Sequence, residues 1–241
     1  ERMGFPLCDK IPPGQQAGKR FENAVRDYLR SAFGALNHLR PGHWIYETGK
    51  DMSSSIGAFD QYEHLESVAE ALHQNPELKA SLGGDYLVTP DVIVGRVPIS
   101  DSMINQDEQV LNTGPRDEAS NTPLREANNP RHPILHATIS CKWTIRSGRS
   151  QNSRTEALNL IRNRKGKTPH IAVVTAEPMP TRLASIAMGT GDIDCTYHMA
   201  LHELVDAVKE MENEDQLGML NLLIDGRRLR DISDLPFDLA T

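Results

Sequence analysis

An α/β fold, one central sheet flanked by helices, is what this 241-residue chain predicts. Three observations lead there. Apolar residues recur at intervals of three and four in several stretches, the period of helices packed on a core. Between them stand short runs rich in Val and Ile that suit strands buried in a sheet. The two kinds alternate without an internal repeat, which places helices on the faces of a sheet. Length and 38% apolar content suffice for one core, so a single domain over 1–241 is expected.

The elements follow in order. Phe21, Val25, Leu29, Phe33 and Leu36 make Gly18 to Leu36 an amphipathic helix. Leu65, Val68, Ala69 and Leu72 repeat the pattern over Tyr62 to His73, and Pro76 to Leu82 continues it up to Gly83 and Gly84. Tyr86 to Val97 reads as a strand, with Pro90 near its start and Asp91 where it enters the core. From Pro98 to Pro133 the composition is polar, rich in Asn, Asp, Pro and Gly, and predicts a long surface excursion over 98–133.

Ile134 to Ile145 reads as a strand. Simple alternation sets His136, Thr138, Ser140 and Lys142 on one face and Leu135, Ala137, Ile139 and Cys141 on the other. Asn152 to Asn163 is helical by pattern, His170 to Ala176 is an apolar run suited to a sheet centre, and Thr181 to Met188 is a short helix ended by Gly189. Ile193 to Met199 suits a strand, Leu201 to Met211 and Gln216 to Leu223 suit helices, and Arg228 to Thr241 reads as a polar tail.

Charge is unevenly spread. The chain carries −7, yet Lys142 to Lys167 holds eight basic residues against the single acid Glu156, a local +7 that leaves −14 on the rest. Such segregation suits one face turned to a polyanion, although a basic run also fits a solvated helix face. No apolar run is long enough for a membrane span, and Glu1 to Pro13 lacks the apolar stretch of a signal peptide, so a cytoplasmic protein without a membrane partner is expected. Cys8, Cys141 and Cys195 are odd in number and widely spaced, which fits reduced, buried thiols better than a disulfide framework or a four-ligand zinc site.

One constellation suggests chemistry. Hydrolysis of a phosphodiester needs a cation against developing charge and a group that orients water. Asp91 offers a carboxylate suited to a hard ion such as magnesium, and Lys142 offers an ammonium two positions beyond Ser140 on the same strand face. By itself this pattern is common; Asp91 also reads as a strand-entry carboxylate and Lys142 as a surface lysine. Glu156, an acid amid basic residues on the next helix, reads either as a partner of Arg154 or as an acid near a metal. His136 and Cys141, on opposite faces by alternation, make a poor nucleophile and base pair.

A longer pattern adds to these residues. The segment ISCKWTIRSGRSQNSRTEALNLIRNRKGKTPHIAVVTAEP from Ile139, GTGDIDC ending at Cys195, TPDVIV at Thr89 to Val94 and DISDLPFDLA near the end resemble the NgoMIV-like type II restriction endonucleases. That is the CCGG-cutting group of the PD-(D/E)xK nuclease superfamily. The similarity runs from about Gly14 onward apart from the polar excursion.

The resemblance implies a restriction-endonuclease-like core with a mixed sheet. It also implies magnesium-dependent cleavage of double-stranded DNA at GCCGGC or a related CCGG-containing site, by a homotetramer, with a dimer as the alternative. Position by position, it implies that Asp91 and the backbone carbonyl of Cys141 bind metal. Ser140, Lys142, Glu156 and Glu22 would complete the catalytic face, although Glu22 alone would read as a solvated residue. Arg146 and Arg149 would read guanines in the major groove, as arginine engages guanine O6 and N7. Arg182 would read the outer base pair, and Gln15 would lie near the minor groove. One position departs: the family's aspartate between the two reading arginines, an acceptor from cytosine amino groups, is Gly148 here. Two other functions share these features. A repair or recombination nuclease of the same fold would read DNA structure, and a decayed relative would bind DNA without cutting it.

Overall fold

The computed structural model describes residues 14–49, 56–82, 88–112, 119, 121–145, 147–189 and 191–241, and of 78–79, 82 and 147–150 the backbone alone. Its helices are α1 (Gly14–Ala35), α2 (His64–Gln74), α3 (Pro76–Leu82), α4 (Asp101–Ile104), α5 (Ser147–Asn163), α6 (Pro180–Ala187), α7 (Leu201–Glu210), α8 (Glu214–Asp225) and α9 (Leu235–Ala240). Its strands are β1 (Trp44–Thr48), β2 (Val92–Arg96), β3 (Ile134–Lys142), β4 (His170–Thr175), β5 (Cys195–His198) and β6 (Leu229–Asp231).

The strands stand side by side in chain order in one sheet. β1, β2 and β3 pair antiparallel, and β3 to β6 pair parallel, so the sheet is mixed. Each parallel step needs a crossover, and α5, α6 and the α7–α8 pair supply the three. These crossovers and α2 pack on one face, where Ile93, Leu135, Ile171 and Val173 meet Leu160, Leu183, Leu204 and Leu220. The opposite face is covered by α1 and α9. There Phe21, Val25, Leu29 and Phe33 lie on Val92, Val94, Ala137, Ile139 and Val174. Burial of each large apolar side chain stabilises by about 1.5–3 kcal/mol, so α1 is held chiefly by this stripe.

Several sequence expectations need correction. β3 contains a bulge: Val94 faces Ala137, but Gly95 faces Leu135, which leaves His136 as the extra residue. The alternation flips there. Leu135 joins the α2 and α5 face, whereas His136 turns to the α1 face and stacks on Phe33 with ring centres 5.8 Å apart. His136 and Cys141 therefore share a face, but five strand residues hold them about 16 Å apart, too far for a nucleophile and base.

The 98–133 stretch is not wholly surface. Arg125 is 1% exposed and grips Asp101 with two bonds, Nε to Oδ1 at 2.8 Å and Nη2 to Oδ2 at 2.6 Å. That pair, with the bridge between Ile99 and Arg125, staples the loop. The last segment is no polar tail either. Leu229, Leu235 and Leu239 are buried, and Tyr197 and Arg230 both donate to Asp238 to lock α9 down. α5 begins five residues before its expected start, because a polar first turn carries no apolar period. Cys141 and Cys195 are free and buried, as expected; Cys8 lies outside the described residues.

Candidate active site

Antiparallel pairing builds the site. Because β2 runs against β3 with Val92 opposite Ile139, the residue just before β2 comes level with the last turns of β3. Asp91 and Lys142, 51 positions apart, meet at that end of the sheet. Asp91 Oδ2 accepts the Cys141 N–H at 2.7 Å and lies 2.8 Å from Lys142 Nζ. The turn that delivers Asp91 is tight. Gly49 donates to the Asp91 carbonyl, and a Cβ at Gly49 would stand 2.5 Å from the Pro90 oxygen, so a side chain there would push the Asp91 backbone away.

The two layers then supply acids from either side. From α1, Glu22 reaches an open cleft of about 820 Å³ lined also by Gln15, Lys19, Asp91, Lys142 and Trp143. On the α5 side, Ser140 Oγ and Ser153 Oγ are 3.0 Å apart, and Glu156, one helical turn beyond Ser153, lines a small gap of about 20 Å³ with Ser140 and Pro90. Burial raises the Glu156 pKa above the ordinary carboxylate value; Lys142 opposes this and Asp91 adds to it. Burial also pushes the Cys141 thiol well up, with further contributions from Asp91 and Glu22 against Lys142. A thiol so disfavoured as thiolate makes no nucleophile.

A family model described as the NgoMIV restriction enzyme matches residues 7–241. The type II restriction enzyme NgoMIV of Neisseria gonorrhoeae is 51% identical over 229 residues, covering 95% of this chain and 79% of that one. The chain belongs to the NgoMIV restriction enzyme family. As a member it is a type II restriction endonuclease, a hydrolase of DNA, with the divalent metal requirement that the family implies. A solved complex of the restriction endonuclease PspGI with substrate DNA is 19% identical over 43% of this chain and 38% of that one, at a TM-score of 0.28, a likeness that carries no argument.

The structure brings together Asp91, Cys141, Lys142, Glu22 and Gln15 around the cleft; Ser140 and Glu156 line the separate small gap on the α5 side, where Glu156 still feels the charges of Lys142 and Asp91. Arg182 does not line it; this side chain, 59% exposed, stands on α6 with Nη1 3.7 Å from Glu177 Oε1. Arg146 lies outside the described residues, and Gly148 and Arg149 are described as helical backbone of α5. The Glu156–Arg154 pair entertained from sequence is not formed. Arg154 instead pairs with Asp192 at 2.7 Å and donates to the Ile186 and Met188 carbonyls, because it turns toward α6 rather than along its own helix.

Sequence reasoning missed Lys19 and Trp143. Lys19, three residues before Glu22 on α1, has no ion pair or hydrogen bond among the described residues, and its i, i+3 spacing was the available signal. Trp143 is 47% exposed yet pinned edge-to-face on Phe21 at 5.4 Å.

The donor set suits magnesium. That ion takes oxygen ligands, keeps several waters and is held by one or two carboxylates together with substrate phosphate. Asp91 provides one carboxylate at the cleft and Glu22 and Glu156 concentrate acid on either side. Among the described residues no group of three or more His, Cys, Asp or Glu is placed to hold a metal ion. No helix among them is long and apolar enough to cross a membrane.

Proposed function

We propose that this chain is a single endonuclease domain making magnesium-dependent, sequence-specific double-strand cuts at GCCGGC or a related CCGG-containing site. The observation that carries the reading is Asp91 held between the Cys141 N–H and the Lys142 ammonium at the mouth of a cleft that Glu22 also lines. Asp91 and the Cys141 carbonyl would hold the ion, which would supply positive charge against the phosphate and lower the pKa of a nearby water.

The remaining roles fall to the protein's own groups. Lys142, kept in place by Asp91, presents its ammonium to the scissile phosphate. Ser140, through Ser153, fixes α5 and with it Glu156, a half-buried acid whose pKa is held above the ordinary carboxylate value by burial, beside Lys142 and Asp91. Glu22 adds negative charge from the α1 wall. Arg146 and Arg149 read guanines, Arg182 reads the outer pair, and Gln15 touches the minor groove. The protein works in the cytoplasm as a homotetramer, with a dimer as the simpler assembly.

Plasmid digestion with magnesium and with a chelator tests this. Discrete fragments that vanish with the chelator are expected; a smear favours a structure-reading repair nuclease, and intact DNA a decayed binding protein. Asp91→Asn and Lys142→Ala should each lower cleavage at least about a hundredfold while band shifts persist, because most phosphate contacts come from other cations. Cleavage by either variant within tenfold of the parent removes that residue from the site. Light scattering on the purified protein decides the assembly.

A further inference from the structure

Glu177 is a buried acid that none of the roles above uses. It follows β4, its side chain is 0% exposed, and a carboxylate so placed costs several kcal/mol unless it is well bonded. Its bonds lead to two separate segments. Oε2 accepts the N–H of Ile145, the residue just before Arg146, at 2.7 Å. Oε1 accepts the N–H of Met179 at 3.1 Å and faces Arg182 Nη1 at 3.7 Å. Met179 precedes α6 and makes no side-chain cap of its own, and Glu177 takes up its amide at that helix start. The Glu177 backbone is held in turn: its N–H donates to Thr175 Oγ1, and that hydroxyl donates to the Lys142 carbonyl at 2.7 Å.

We propose that Glu177 is a positioning residue for base recognition, one carboxylate that sets the entry to the Arg146–Arg149 segment and the Arg182 guanidinium in a fixed relation to each other and to Lys142. The inference rests on the DNA-reading roles proposed for those arginines. An apolar residue could fill the space, but it would leave the Ile145 and Met179 amides without an acceptor and Arg182 without an anchor. Arg182, half free to solvent, would then sample many rotamers, and discrimination would fall where it reads.

The test uses the full-length chain with saturating magnesium and a set of duplexes substituted singly at the outer pair and at the inner guanines. Glu177→Gln should lower the ratio of kcat/KM for cognate over substituted duplex by at least about fivefold at both positions, while kcat on the cognate stays within about threefold. Arg182→Ala should lower the ratio at the outer pair alone. In the double variant Glu177→Gln should add nothing at the outer pair and still act at the guanines. An unchanged profile in Glu177→Gln, with Arg182→Ala effective, overturns this inference and leaves the DNA-reading roles standing. An ineffective Arg182→Ala overturns the reading role itself, and the Arg182 arm of the proposal with it. Should Glu177→Gln not fold, Glu177→Asp keeps the charge, shortens the reach and should show the same loss of discrimination. Unfolding of both assigns Glu177 to the core and overturns the proposal.

Discussion

His136 ties acid stability to one buried ring. It stacks on Phe33, meets Trp44 at 4.8 Å and His170 at 5.0 Å, and hydrogen-bonds through Nε2 to the Leu239 carbonyl at 2.8 Å. Burial pulls its pKa from 6.5 down to about 3, and Arg40, His170 and Lys167 press in the same direction against the Leu239 bond. Between those values the unfolded chain binds a proton that the folded chain refuses. The contribution is therefore present above pH 6.5 and is lost progressively as the pH falls toward 3, at about 1.4 kcal/mol per pH unit. Over the whole window that amounts to roughly 4–5 kcal/mol, a large part of a typical domain's stability.

The variant to make is His136→Phe, which keeps an aromatic ring against Phe33 and Trp44 and removes the titration. At pH 7 it should lose about 1–3 kcal/mol through the orphaned Leu239 carbonyl. At pH 4 it should match or exceed the parent. Urea unfolding at pH 7, 6, 5 and 4 measures both, and the difference between the curves removes the shared contributions of His170 and His198. Parallel stability curves for variant and parent would refute the reasoning, since His136 would then titrate alike in both states.

Three further outcomes are expected. Glu156→Gln should raise thermal stability at pH 8 and lower cleavage, with the stability gain vanishing below pH 4.5; its raised pKa makes the ionised form a burden only above the ordinary carboxylate value. Melting curves at pH 4 and 8 beside a cleavage assay check this, and an equal shift at both pH values would count against it. Cys141→Ala should cleave within about threefold of the parent and melt at lower temperature, since a buried thiol behaves as a small apolar group. Thiol reagents that stop the folded enzyme without blocking DNA entry would contradict it. Gly148→Asp should sharpen discrimination at the cytosines, where one good pairing is worth about 1–3 kcal/mol; identical cleavage profiles on singly substituted duplexes would show that position 148 is not read.

What was legible in the sequence was what local periodicity encodes. The spacing of Phe21, Val25, Leu29 and Phe33 announced α1, and the apolar run from His170 announced β4, because burial of a stripe or a strand depends on residues close in the chain. Asp91, Ser140 and Lys142 were suspected from residue type alone, and their weight came from the longer resemblance. β1 had no clear signal: Trp44, Ile45, Tyr46 and Glu47 are only half-buried at the sheet edge, so no alternation of apolar and polar residues marks the strand.

Only the tertiary structure decided the rest, for one physical reason. Pairing register, bulges and buried ion pairs depend on groups far apart in sequence, whose contacts exist once the sheet is assembled. The antiparallel β2–β3 register put Asp91 on Lys142, and the bulge turned His136 to the α1 face. Leu235 and Leu239 became core because α1 offered them a surface. Glu177 carries no signal of its own in the sequence; β4, the Ile145 amide and the start of α6 close around it and leave it fully buried.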